Sequence, residues 1–163
     1  MKKSFLLVLI GILAASTAWG AQITINATVA SKLAVIVDAD TWTIAMDNEG
    51  GEILDDTQGV LTVKASKSNY TVTFSSGHSG TLVSGSETIP YFIKVDTTGW
   101  IEGVQTNNLS SYTQLTTAKT IVFKKRTPTA GKAFDIGFNI LEYTDYYVDG
   151  AYSDTITIGI SSP

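Results

Sequence analysis

Apolar and polar side chains alternate with a period of two in one stretch of this chain after another. Leu61, Val63 and Ala65 alternate with Thr62, Lys64 and Ser66, and Tyr70, Val72 and Phe74 with Thr71, Thr73 and Ser75. Phe134, Ile136, Phe138 and Ile140 alternate with Asp135, Gly137 and Asn139, and Ile156, Ile158 and Ile160 with Thr155, Thr157 and Gly159. Successive side chains of a strand point to opposite faces, so each stretch predicts a strand with one buried face. Tyr91 to Val95, Trp100 to Val104 and Thr120 to Lys125 predict shorter, less regular strands. Turn chemistry separates the candidates at Gly50-Gly51, Ser75 to Gly80, Thr127 to Gly131 and Asp149-Gly150. No long segment has apolar residues at helical spacing. Roughly eight or nine strands with one apolar face apiece are buried most economically as two sheets packed face to face. The pattern therefore predicts an all-β, immunoglobulin-like antiparallel β-sandwich; a jelly roll has a similar signature. The Ser/Thr/Asn-rich stretch from Thr97 to Thr117 is the longest irregular region, either a connection or a binding loop at one end of the sandwich.

Residues 1–20 depart from this pattern. Lys2 and Lys3 precede an apolar run, Phe5 to Ala15, that is shorter than the ~20 residues a membrane span needs. Small residues follow at Ala18 and Gly20. These are the three parts of a secretory signal, with cleavage expected after Gly20 and a secreted, periplasmic or cell-surface product. No second long apolar stretch follows, so no membrane span is expected after signal removal. Residues 32–163 are then of ordinary size for a single β-sandwich domain, and residues 21–31 form either its first strand or a separate arm. The chain has no cysteine, which excludes disulfides, a lipid anchor on cysteine and thiolate metal sites. Packing alone must hold the exported domain.

The chain has 15 acidic and 11 basic residues, and loss of Lys2 and Lys3 would make it more acidic still. That balance argues against nucleic acid as a partner, which rewards clustered Lys and Arg. The one basic run, Lys124-Lys125-Arg126, suits a solvated strand end that discourages edge aggregation. Catalytic chemistry has little to draw on. His78, in SSGHSG, is the single histidine, with no base and oxyanion site implied around the neighbouring serines, so no enzyme is expected.

Two polar clusters are candidate ligand sites. DNEGGEILDD offers carboxylates at Asp47, Glu49, Glu52, Asp55 and Asp56, the hard oxygen ligands calcium prefers. Their spacing fails the EF-hand pattern, because Gln58 falls where a bidentate Glu is required. A solvated acidic loop is the competing account, and no cofactor other than calcium is suggested. EYTDYYVDGAYSD places Tyr143, Tyr146, Tyr147 and Asp149 close together, where rings can stack on a sugar while an acid bonds its hydroxyls. The competing account is a hairpin turning at Asp149-Gly150 with rings packed across strands. Sequons at Asn26, Asn69 and Asn108 matter only in a host that glycosylates them.

The segment AQITINATVASKLAVIVD divides into an alternating arm ending at Ala30, a break at Ser31-Lys32, and a first strand from Leu33 to Asp38. ITINATVASKLAVIVDADTWTI, together with the ending DGAYSDTITIGIS, resembles the secreted bacterial pilin-like proteins of the spore coat U and archaic chaperone-usher type. The resemblance implies a sandwich lacking one strand, completed by the amino-terminal arm of the next subunit. It implies donor side chains at Ile23, Ile25, Ala27 and Val29, and self-association aided by a chaperone and an usher. The family's common cysteine near Lys32 and Leu33 is absent here. The expected function is a non-enzymatic structural or adhesive surface subunit. The alternative is a monomeric secreted binding module for a glycan or protein, with contact loops at 47–56 and 142–154.

Overall fold

The computed structural model describes residues 24–163; the leader at 1–20 and the arm residue Ile23 lie outside the described residues. Ten strands follow in order: Leu33–Val37 (β1), Ile53–Ala65 (β2), Tyr70–Ser76 (β3), Thr81–Ser84 (β4), Glu87–Pro90 (β5), Phe92–Val95 (β6), Val104–Asn107 (β7), Lys119–Phe123 (β8), Lys132–Ile140 (β9) and Ile156–Ser161 (β10). One four-stranded sheet has the order β1-β2-β9-β6, the second β10-β3-β8-β7, and β4 and β5 form a separate hairpin. Every strand pair is antiparallel. The protein is an all-β sandwich.

The alternation determines which faces meet. Leu61, Val63 and Ala65 of β2 and Phe134, Ile136, Phe138 and Ile140 of β9 point inward from one sheet. Tyr70, Val72 and Phe74 of β3 and Ile121 and Phe123 of β8 meet them from the other. At the lower end, where β1, β3 and β9 begin and β8 finishes, Phe123 lies 4.9 Å from the Tyr70 ring, 5.6 Å from Phe134 and 5.9 Å from Trp100. These rings close that end. The upper end is where β9 finishes and β10 begins.

Several elements differ from the sequence reading. Trp100 to Val104 is not a strand: Thr98–Gly103 is a 3-10 turn that drops the Trp100 ring onto Gly103, and β7 starts only at Val104. The acidic stretch 47–56 is not one loop, because β2 begins at Ile53 and carries Asp55 and Asp56 into a bulge before Gly59. Asp149-Gly150 does not turn a hairpin. β9 and β10 belong to different sheets, so the chain from 141 to 155 crosses from one layer to the other.

The two sides of the sandwich are finished differently. Beyond β6, residues 108–115 fold back over the free edge. Ile93 and Thr113 exchange backbone hydrogen bonds of 3.1 and 2.9 Å, Val95 N–H donates to the Leu109 carbonyl at 2.7 Å, and Leu109 and Leu115 enter the core. The stretch from Thr97 to Thr117 thus contains a 3-10 turn, β7 and an edge cover. On the opposite side, β1 and β10 each end their sheet with an outer edge that is unpaired among the described residues.

Candidate functional site

After β1 the chain stays extended without joining a sheet. Trp42, Ile44 and Met46 turn inward and pack against the core, while Thr41, Thr43 and Ala45 are exposed. None of the backbone groups of residues 41–47 forms a backbone hydrogen bond among the described residues. Side chains hold the segment instead. The Trp42 ring lies flat enough on Gly59 that a Cβ there would sit 2.6 Å from it, and it meets Phe138 edge-on at 6.4 Å. At the far end, Asn48 brackets Tyr147, donating to its carbonyl at 2.8 Å and accepting from its N–H at 3.0 Å.

Across from this segment runs β10, and between them lies a groove of about 700 Å³. Its walls are Ile44 and Met46 on one side and Ile156 and Ile158 on the other, with Tyr91 and Phe138 beneath and Tyr147 and Asp149 at the upper rim. The inward isoleucines of β10 are only half-buried, unlike their counterparts on β3. Two strand-like edges with unpaired backbone groups therefore face one another across apolar side chains. An unpaired edge is a template for another strand, and its N–H and C=O groups gain partners only when one arrives. β1 runs antiparallel to β2, and β2 turns through residues 66–69 into β3, which is antiparallel to β10. The two flanking edges accordingly run in opposite directions.

One carboxylate sets the position of β10. The Asp154 side chain is 2% exposed. It accepts from Ser76 Oγ at 2.5 Å, Tyr91 OH at 2.7 Å, and the backbone N–H groups of His78 and Thr155 at 3.0 and 2.7 Å. His78 Nδ1 lies 3.1 Å away. Burial alone would raise the Asp154 pKa, but these hydroxyl and backbone donors outweigh it and hold the value below the ordinary 3.8. The Tyr91 hydroxyl, buried and bonded to a carboxylate, is pushed well above the usual tyrosine range. His78, the single histidine, thus joins a structural anchor at the head of β10.

The sequence candidates fall in different places. Residues 24–32 form no strand and are exposed, with Ile25 87% and Val29 88% accessible; Ala27 is exposed beside them. Four of the five carboxylates of the calcium reading have separate partners. Asp47 accepts from Glu49 N–H, Glu52 from the Asn139 amide, Asp55 from Thr57, and Asp56 from Lys94 and Tyr112. Among the described residues no group of three or more acidic, His or Cys side chains is placed to hold a metal ion. Tyr143 and Tyr147 pack on each other at 5.0 Å, and the Tyr143 hydroxyl is buried. Tyr146, 84% exposed, is left alone on the surface. Of the four ligand-surface candidates, Tyr147 and Asp149 border the groove. Comparisons with models of known protein families, with curated proteins and with solved structures return no match.

Proposed function

We propose that the protein is an exported structural or adhesive subunit that assembles by strand exchange, the exposed arm of one copy filling the groove of another. The observation that carries this reading is the coincidence, in one chain, of an unpaired alternating segment and an unpaired apolar groove. The strand order supports it. β1, β2, β9 and β6 match the A, B, E and D strands of an immunoglobulin-like sandwich, and β10 and β3 match F and C. The seventh strand, G, would lie on the open edge of β10. Between antiparallel flanks an inserted strand is parallel to one and antiparallel to the other.

The energetics are compatible with assembly. Ile25 and Val29 each gain about 1.5–3 kcal/mol on full burial, and the new backbone ladder closes two edges. Within one chain, only Ser31 and Lys32 separate the arm from β1, and the arm does not turn back along it: residues 24–32 form no strand and are exposed. Export, a chaperone to shield the groove and an usher to exchange it belong to the same proposal, in keeping with the pilin-like resemblance.

Molecular size measured against concentration, for the chain beginning at Ala21 and for one lacking residues 21–30, tests the reading. Concentration-dependent oligomers of the first and a folded monomer of the second are expected. A stable monomer that unfolds when residues 21–30 are removed would make the arm an internal strand and end the proposal.

A further inference from the structure

Among the described residues charge is unevenly distributed along the sandwich axis, basic side chains predominating at the lower end and acidic ones at the upper end, where Lys119 at the start of β8 is an exception. Lys32, Lys67, Lys124, Lys125 and Arg126 are exposed at the lower end, where the arm leaves the domain, and Lys132 stands at the start of β9 beside them. Ser66, Lys67, Ser68, Lys124, Lys125 and Arg126 line a shallow hollow there, and the Lys32 N–H is held by Ser66 Oγ at 2.8 Å. Glu102 is the one acidic residue of the adjoining 3-10 turn. The upper end carries Asp47, Glu49, Glu52, Glu142, Asp145 and Asp149, all exposed. Among the described residues the only lysine or arginine in a salt bridge is Lys94, paired with Asp56 away from the basic end.

We infer that the basic lower end of one copy docks on the acidic upper rim of the next, so that copies stack head to tail. This rests on the reading that the arm enters a second copy, and it adds the surface that orients the two bodies. Chain length forces such a contact. Only Ser31 and Lys32 join Ala30 to Leu33 at the start of β1, three steps that span no more than about 10 Å when extended. The donor's lower end therefore lies against whichever end of the groove its arm leaves by. If the arm leaves beside Asp149, lysines meet carboxylates and the inserted strand runs antiparallel to β10, the slightly more stable pairing. If it leaves beside Ser162, at the acceptor's own basic end, like charges meet. Charge complementarity of this kind accelerates encounter and rejects the wrong register more than it adds affinity. A contact between two different faces of the same molecule does not close on itself and propagates as a filament.

The test uses the chain beginning at Ala21, whose lack of cysteine leaves engineered pairs unambiguous. In oligomers of the Ser31→Cys/Asp149→Cys variant, oxidation should give a ladder of intermolecular disulfides, and the Ser31→Cys/Ser162→Cys variant should give none. The triple variant Lys124→Glu/Lys125→Glu/Arg126→Glu should assemble at least tenfold more slowly at low salt. Mixing it with Glu142→Lys/Asp145→Lys/Asp149→Lys should restore the rate, and about 1 M salt should erase the difference. Normal folding of the charge variants is checked by circular dichroism. Disulfide ladders through Ser162 with assembly intact would overturn the docking and leave strand exchange standing. An unchanged assembly rate in the triple variant, accompanied by its loss of binding to anionic vesicles, would assign the basic end to a membrane surface and overturn the docking. Failure of the full chain to assemble at any concentration, with no binding of an ITINATV peptide, would overturn both.

Discussion

Replacing Asp154 by alanine should detach the head of β10. The carboxylate accepts from two hydroxyls, Ser76 and Tyr91, and two backbone N–H groups, His78 and Thr155. Hydrogen bonds to a charged group contribute about 1.5–3 kcal/mol each, and a buried donor left without a partner costs about 1–3 kcal/mol. The four are not additive, because the N–H groups near the surface regain water and Ser76 Oγ can turn elsewhere. Tyr91, 1% exposed, cannot regain water without moving its ring off Phe138. A loss of about 3 kcal/mol is therefore expected for Asp154→Ala, and about 1–2 kcal/mol for Asp154→Asn, which keeps one acceptor oxygen. Urea denaturation reads this as a shift in midpoint at constant slope.

The pH dependence gives a second reading of the same group. A carboxyl whose folded pKa lies below 3.8 contributes stability that is fully present above that value and is lost as pH falls through the lower folded value. The wild type should therefore lose more stability than Asp154→Ala in the acid range, and the two curves should converge there. A cost below about 0.5 kcal/mol at pH 7, or parallel acid profiles, would refute the view that this carboxylate anchors β10.

Other perturbations separate fold from assembly. Gly59→Val should cost about 1–3 kcal/mol by thermal denaturation, since its side chain needs the space of the Trp42 ring, with a shift in tryptophan emission as that ring is displaced. Phe123→Ala should cost about 3–5 kcal/mol, because it removes the ring on which Tyr70, Trp100 and Phe134 converge. Ile25→Asp should leave the melting temperature of the monomer unchanged while abolishing oligomers in sedimentation, since Ile25 is 87% exposed. Melting temperatures with calcium and with chelator should agree, because Asp47, Glu52, Asp55 and Asp56 each bond a different protein group and, among the described residues, no three of them converge on a metal site.

The sandwich was legible because a half-buried strand announces itself by period two, and the second half of β2, together with β3, β9 and β10, does so. The groove was harder to see. TWTIAM alternates as cleanly as β10, with Trp42, Ile44 and Met46 inward, yet it was not among the segments that the alternation was used to assign. Its missing ladder partner has no signature in local sequence. Trp100 read as a strand residue because aromatics favour strands; the glycines on either side, Gly99 and Gly103, were the contrary signal. Asp149-Gly150 looked like a hairpin turn because composition does not reveal that β9 and β10 lie in different layers. Asp154 was noticed as part of the DGAYSDTITIGIS ending, but its role depends on Ser76 and Tyr91, which only the packed sheets bring to it.

Amide hydrogen exchange on the chain lacking residues 21–30, with and without an ITINATV peptide, tests the open groove most directly. The account predicts fast exchange at the outward amides of β10 and throughout residues 41–47 in the free domain, where no ladder protects them. It predicts strong protection of both on peptide binding, while β6, already covered by Thr113, is unchanged. Protection of β10 and residues 41–47 without the peptide, or no change on adding it in excess, would contradict the claim that this edge awaits a strand from another copy.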